Sequence, residues 1–500
     1  MKHPCKSPNA STKEYFGNKP KNEPMNNRKK LLNLVSLFIV FFVCQNYAVP
    51  QQPWGLQKCV DYSIEHNIQV KQTQLKAKSS QSSLQQSKLK LAPSLNANAS
   101  DAFQFGYTVD PYTNQFTNNR VQSLSASITG SVTLFSGLQQ VNTIKENNYT
   151  LMSNLQEIEE VKYNITVSVA TSYLQILFDK ELLGVAKSQV EISKGQEQRT
   201  KILVDAGSLA KGNLLEVQAQ LATEELNKIN AENNLRTDYL NLTQLLELDS
   251  TAGFEIEVPV VEDPTEMNIL DSVNSIYEKS LSLPQIKMQE YRLKSSEKSL
   301  AIAYGGLSPR LYLQGSYGTG YSNNRYKYAT SPGNPVEVGY VGSSGDAVFA
   351  PSTTTTQSPY LFTDQFVDNR SLSIVIGIQI PLFNNFTVKN NITQSRISVD
   401  NSQYTLELSK RQLYKDIQQA RNSAESALAK FKASQKAEEA QKESFSYTQQ
   451  KFDLGLVNSV DYNTAKNQLT KVQSDKVQAK FDFLFRINIL NYYMGIPFKL

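Results

Sequence analysis

The chain has 500 residues, 40% of them hydrophobic and 19% charged, with a mean hydropathy of −0.41. Its longest apolar run, Leu31 to Cys44, covers 14 residues where a membrane helix needs about 20, which excludes a bundle of membrane helices. The net charge of +5 sits in residues 1–48, with eight Lys/Arg and two acids. The remaining 43 Lys/Arg face 44 acids, so the body lacks the basic surplus of a nucleic-acid binder and no nucleic-acid partner is expected.

The first predicted element is a secretory signal. Arg28-Lys29-Lys30 is a positive n-region, Leu31–Cys44 an h-region, and Asn46-Tyr47-Ala48 a cleavage-like end. Met25 is an alternative start. Cleavage after Ala48 removes Cys5 and Cys44 and leaves Cys59 with no intrachain partner. Lipid attachment at Cys44 is the alternative, although Val43 is bulkier than the small residue expected before such a site.

From there the chain repeats itself. Ser123-Leu124-Ser125 recurs 248 residues on as Ser371-Leu372-Ser373, and the same spacing pairs Leu134-Phe135 with Leu382-Phe383, Gly207 with Gly455 and Gln220-Leu221 with Gln468-Leu469. Upstream the spacing becomes 216, pairing Pro93 with Pro309 and Ser79-Ser80 with Ser295-Ser296. The difference falls in one loop of each half, before Ser123 and before Ser371. A tandem duplication follows, with residues 1–48 as leader, 49–248 as first repeat, 249–267 as linker and 268–500 as second repeat.

No proline stands between Pro111 and Pro259 or between Pro381 and Pro497, and both stretches are rich in helix formers. Ile144, Leu151, Ile158 and Ile165 recur every seven residues, with Leu155, Val169 and Ile176 on a neighbouring seam. Leu406, Leu413, Ile417, Ala420, Ala424, Leu428 and Phe431 mark one face in the second half. With only Gly207 and Gly455 interrupting, each half predicts a helix of about 70 residues, a turn and a helix of about 40, roughly 105 and 60 Å long. A helix of about 24 residues precedes each of Pro93 and Pro309.

Between the helices the period changes to two. Leu124, Ala126, Ile128, Gly130, Val132 and Leu134 alternate with Ser and Thr, and Leu372 to Leu382 repeat the pattern. Leu95–Tyr107 and Leu311–Tyr321 alternate more loosely. Such strands suit a tilted bilayer crossing of about 9–11 residues. Four strands cannot close a barrel and a bilayer tolerates no open edge, so other copies must complete it; three copies supply 12 strands. The Ser/Thr/Gly/Asn-rich stretch from Gly318 to Arg370 reads as a long solvated loop.

The Leu-x-Pro-x-Leu strand starts (Leu91–Leu95, Leu307–Leu311), the Leu-Phe-x-[Gly/Asn] strand exits (Leu134–Gly137, Leu382–Asn385), the Gly207 and Gly455 turns and the closing Met494-Gly495-Ile496-Pro497 resemble the TolC-like outer-membrane efflux protein family over Trp54 to Phe498. The resemblance implies an α+β membrane protein: tandem-duplicated long helical hairpins with four β-strands per chain, trimerising into a 12-stranded outer-membrane β-barrel continuous with a periplasmic α-helical tunnel. It implies an outer-membrane exit duct for tripartite efflux or type I secretion. The implied partners are two further copies, a periplasmic adaptor, an inner-membrane pump of proton-driven RND or ATP-driven ABC type, and outer-membrane lipid. No cofactor is implied. A periplasmic coiled-coil adaptor or tether without a barrel is the alternative.

The same resemblance places acidic residues near the start of each returning helix, at the periplasmic aperture. Asp461 stands six residues after Gly455, whereas Thr464 departs from the acidic position nine after it; the counterparts after Gly207 are Asn213 and Glu216. These are the candidate aperture residues, helix capping by Asp461 being the alternative. Gly207 with Leu209, and Gly455 with Val457, are the candidate adaptor-docking tips. Catalysis is not expected: the histidines are His3 and His66 alone, without hydrolase, zincin or P-loop motifs.

Overall fold

The computed structural model describes residues 53–118, 120–259, 272–496 and 498. The secretory signal, Met25, Cys5, Cys44 and residues 260–267 of the linker lie outside them. A small unit holds Trp54, whose N–H donates to Glu255 O at 2.8 Å and whose ring meets Phe254 edge-on, with centroids 5.4 Å apart. The large unit comprises residues 55–251 and 256–500.

In the large unit α1 (Leu56–His66) and α2 (Ile68–Leu89) precede β1 (Ser94–Gln104). Two short strands, β2 (Thr108–Val109) and β3 (Phe116–Thr117), lead to β4 (Val121–Ser136), then to α3 (Gln139–Asp205) and α4 (Lys211–Leu245). The second half runs α5 (Val273–Ser280), α6 (Pro284–Gly305) and β5 (Arg310–Ser322). It continues through β6 (Tyr326–Pro332), β7 (Val336–Tyr340), β8 (Ala347–Ala350), β9 (Thr353–Pro359) and α7 (Phe362–Asp368). It ends with β10 (Ser371–Gln379), α8 (Thr387–Asp453) and α9 (Ser459–Tyr493). The expected spacings recur residue for residue: α8 and α9 begin and end 248 positions after α3 and α4, and α6 lies 216 after α2.

The long helices have 67 residues and the returning ones 35, spanning about 100 and 52 Å. Each long helix begins from two successive left-handed residues, Gly137 and Leu138 in one repeat and Asn385 and Phe386 in the other. This reverses the chain at once from strand into helix. α3 packs on α1, α2, α4 and α6, and α8 on α5, α6 and α9, so α6 is wedged between the two rods. The sevenfold seam is partly a core: Ile158, Ile165, Val169 and Ile176 are buried, Ile144 and Leu151 are half-buried, and Leu155 faces out. In the second half Leu413, Ile417 and Ala424 join Ile276, Ile286 and Leu490 in one cluster. Cys59 is free and buried, and burial pushes its thiol up to about 12. His66 ends α1, its Nδ1 2.9 Å from Tyr62 O and its ring stacked on Tyr62.

The four long strands form one antiparallel sheet in the order β1-β4-β5-β10, leaving one edge of β1 and one of β10 unpaired. Register explains its two faces. Leu95, Gly130, Gly315 and Ile374 share one cross-strand row, and Ala97, Ile128, Tyr317 and Leu372 the next. The intervening rows, Asn96-Thr129-Ser316-Ser373 and Asn98-Ser127-Gly318-Ser371, point the other way. Apart from α7, which lies beside Thr319 and Tyr321, the apolar face carries no covering layer among the described residues, and Leu372, Ile374, Ile376 and Ile378 are exposed. β10 stops at Gln379, short of the alternation that extends to Leu382, because Pro381 has no N–H to offer the ladder.

The 318–370 stretch differs from the expected loop. β5 runs on to Ser322, β6 pairs with β9 and β7 with β8 to form a projecting two-stranded arm, and α7 follows. Tyr, Thr and Val, which favour extended backbone, sustain pairing there despite the loop-like composition. The β2/β3 turn folds over the polar face of the sheet. The fully buried Asp110 accepts N–H bonds from Tyr112 (2.8 Å) and Thr113 (3.1 Å) and the hydroxyl of Ser322, and Tyr112 lies over Gly320, where any Cβ would collide with the ring.

Candidate functional site

The tips of the two hairpins close in the same way. Gly207 and Gly455 adopt φ of 69° and 70°. Their N–H groups donate to Val204 O (2.9 Å) and Phe452 O (3.0 Å), while Ser208 and Leu456 donate to Leu203 O (2.8 Å) and Lys451 O (2.9 Å). This paired pattern requires a left-handed residue at the turn, which glycine supplies without a Cβ penalty.

Asn458, not Asp461, caps α9: its side chain accepts from Asp461 N–H at 2.8 Å. Asp461 is therefore a first-turn carboxylate, exposed to solvent and favoured by the helix dipole. Thr464 is exposed three residues on. The first hairpin has no side-chain cap at Ala210, and Asn213 is half-buried. Glu216, also half-buried, accepts a 2.6 Å bond from Ser459 Oγ at the start of α9. The structure thus brings Glu216 to the second hairpin, while Asp461 points free.

Further links join the hairpins behind these residues. Arg199 of α3 pairs with the Asp453 carboxylate and donates to Asp453 O at 3.2 Å. Lys466 of α9 is 2% exposed; its Nζ donates to Ser193 Oγ (2.5 Å) and Gln189 O (3.5 Å) on α3 and lies 3.4 Å from Glu224 Oε1 on α4. Gln220 Nε2 donates to the same carboxylate oxygen at 2.6 Å. Burial pulls the Lys466 ammonium below its ordinary range, and Glu224 draws it back. Beside it Tyr462, Phe445 and Leu469 form a small core, with Phe452 stacked 4.6 Å from the Tyr462 ring.

The apolar tips are broader than expected. Leu209 is exposed, but Val457 is half-buried, and Leu454 and Leu456 on either side of Gly455 are 74% and 70% exposed. The Lys466 link was also missed. Its signal is the spacing Tyr462, Lys466, Leu469, which sets the lysine on the buried seam of α9. Among the described residues no cluster of His, Cys, Asp or Glu suits a metal ion, and no helix is long and apolar enough to cross a membrane.

Known proteins share this arrangement. The Vibrio cholerae outer membrane protein TolC is 19% identical over 333 residues, 66% of this chain and 67% of its own length. The solved Campylobacter jejuni CmeC outer membrane channel superposes with a TM-score of 0.72 at 15% identity, covering 89% of this chain and 86% of that one. The open-state Neisseria gonorrhoeae MtrE outer membrane channel does so at 0.67 with 16% identity, covering 89% of both. The family description "Outer membrane efflux protein" matches residues 60–247 and 276–490, one segment in each repeat. On these matches the chain belongs to the outer membrane efflux protein family, as a channel of the outer membrane with a helical periplasmic extension.

Proposed function

We propose that three copies of this chain close a 12-stranded barrel and continue into a helical duct, which opens at the hairpin tips to receive cargo from an inner-membrane pump through a periplasmic adaptor. The observation carrying this reading is the four-stranded sheet with two unpaired edges and an apolar face left exposed along most of β10. Each unpaired amide in hydrocarbon costs several kcal/mol, so the edges of β1 and β10 must meet those of other copies. Exposed apolar residues at Ile397, Tyr404 and Leu408 of α8, and at Leu226 and Ile229 of α4 nearer the tips, offer surface for helix contacts between copies at two separate levels. The coiled-coil tether alternative leaves the apolar sheet face without a purpose.

At the tips, three Asp461 carboxylates converge on the duct axis, attract cations and hold the aperture sensitive to charge. Leu209, Leu454, Leu456 and Val457 form the adaptor-docking rim. The chain itself performs no chemistry; the energy comes from the pump, either proton-driven or ATP-driven. Membrane fractionation tests the assembly: a heat-modifiable trimer extracted from the outer membrane only by detergent is expected. Release of monomer by osmotic shock without detergent overturns it.

A further inference from the structure

The apolar face of the sheet is not smooth. Ala97 pairs with Ile128, and Ala99 with Ala126, in adjacent rows, and the three alanines leave a depression beside Tyr317 and Thr319. Helix α7 roofs one side of it. Thr319 Oγ1 donates to Phe366 O at 2.6 Å, and the Tyr321 ring meets Phe362 edge-on with centroids 5.3 Å apart. The helix is pinned rather than merely laid there. Gln365, fully buried, accepts from Ser322 N–H (3.0 Å) and donates to Ser322 O (2.9 Å) and Tyr360 O (2.8 Å), while Asn369 donates to Gly320 O at 2.6 Å.

What remains is a cleft of about 360 Å³ between Phe366 and the sheet, walled by Ala97, Ala99, Ala126, Ile128 and Tyr317. Its size falls within the roughly 300–1,000 Å³ of small-molecule sites. A cation stands over the same face. The Arg120 guanidinium lies 5.0 Å from the centroid of Phe103, which pairs with Gln122 two rows beyond Ala99, about 14 Å further along the strand. Among the described residues no carboxylate forms an ion pair with Arg120; the Asp101 carboxylate, in the row between Ala99 and Phe103 on the same face, accepts instead from Gln122 Nε2 at 3.2 and 3.0 Å.

We propose that this cleft binds one alkyl chain of an anionic membrane amphiphile whose phosphate headgroup meets Arg120. The proposal rests on the barrel reading, which turns this face toward hydrocarbon. A lipid is the occupant that reaches such a face, and the separation of apolar cleft and cation along the strand matches an amphiphile lying along the barrel wall. The roof formed by α7 makes the contact a fixed site rather than a share of the ordinary lipid annulus, because Phe366 holds its place through Gln365 whether or not a chain is present.

Native mass spectrometry of the detergent-purified full chain tests it, with phosphatidylglycerol, phosphatidylcholine of the same acyl chains, or inorganic phosphate added. The expected result is up to one phosphatidylglycerol retained per protomer, at least tenfold better than phosphatidylcholine, and no retention of inorganic phosphate. Arg120→Gln removes the preference for the anionic lipid but not chain binding. Ala126→Phe fills the cleft and lowers retention of both lipids at least tenfold, and Phe366→Ala, which adds no bulk, lowers it in the same direction. A trimer that retains lipid equally in wild type, Ala126→Phe and Phe366→Ala overturns the lipid site while leaving the barrel intact. Retention of inorganic phosphate alone reduces the site to the Arg120 cation. A monomeric mass without detergent overturns the barrel reading itself and the lipid site with it.

Discussion

Lys466 Nζ lies 3.4 Å from Glu224 Oε1, and both side chains are withdrawn from solvent, so one ion pair holds α9 of the second hairpin to α4 of the first. Removing the cation alone strands a buried carboxylate. Lys466→Met is expected to weaken the tip region by about 3–5 kcal/mol. The measurement is amide-exchange protection in the α3 and α9 segments around Gln189 and Lys466. Adding Glu224→Leu should restore most of the loss, because a pair removed together leaves no unpaired charge.

Asp461 is separable from helix capping because Asn458 fills that role. Asp461→Asn is expected to lower cation selectivity and divalent-cation block in planar-bilayer recordings while the trimer stays intact. Unchanged recordings would move the constriction to Glu216, the remaining acid on the returning helices at this level.

Asp179 of α3 supplies a pH dependence. Burial, with Asp238 of α4 beside it, pushes its carboxyl from the ordinary 3.8 up to about 7. Between those values the folded protein holds a proton that the unfolded chain has released, so stability falls as pH rises from about 4 to about 7 and levels off above. Thermal melting at pH 5 should exceed that at pH 8, and Asp179→Asn should flatten the difference. A melting temperature that rises across this window would contradict the assignment.

Gly137 and Asn385 occupy equivalent places in the two repeats, both left-handed, yet only Gly137 is hemmed in. A Cβ there would collide with Gly305 O and Ser308 of the neighbouring α6–β5 junction. Gly137→Ala is therefore expected to cost well over 1 kcal/mol, whereas Asn385→Gly should cost little. Denaturant midpoints of the two variants measure the contrast.

The exposed tip residues give a binding prediction. Leu456→Asp, alone or with Leu454→Asp, should abolish adaptor capture by the purified channel without changing its single-channel conductance. Leu209→Asp should weaken capture less, since Leu209 is only 36% exposed.

Much of this molecule was legible as sequence because its signals are long. Sixty-seven residues without proline and a sevenfold apolar period leave little besides a helix, and the recurrence of Gly207 at Gly455 located both turns. The two sheet faces followed from strict alternation in Leu124–Leu134, whereas strand order and register are set by pairing that alternation alone does not specify. What stayed hidden depended on contacts between segments remote in the chain. Lys466 reads as a surface lysine until Glu224, 242 residues away, closes on it. The arm from Tyr326 to Pro359 has the composition of a loop, and cross-strand pairing of short Thr- and Tyr-rich segments decided otherwise. The cleft under Phe366 needed α7 to be folded back by Gln365, which no periodicity announces.

The matched rods act as a ruler. Because α3 and α8 are both 67 residues and α4 and α9 both 35, the two tips end level, and one inserted residue in a single rod would turn everything beyond it by about 100°. The buried seam, Arg199 with Asp453, and Lys466 with Glu224 would all lose their partners together. The reach of the tips can therefore change only in steps shared by all four helices, near seven residues or about 10 Å at a time. A shorter or longer gap between the two membranes of a cell envelope is one this chain can meet only by editing both of its halves at once.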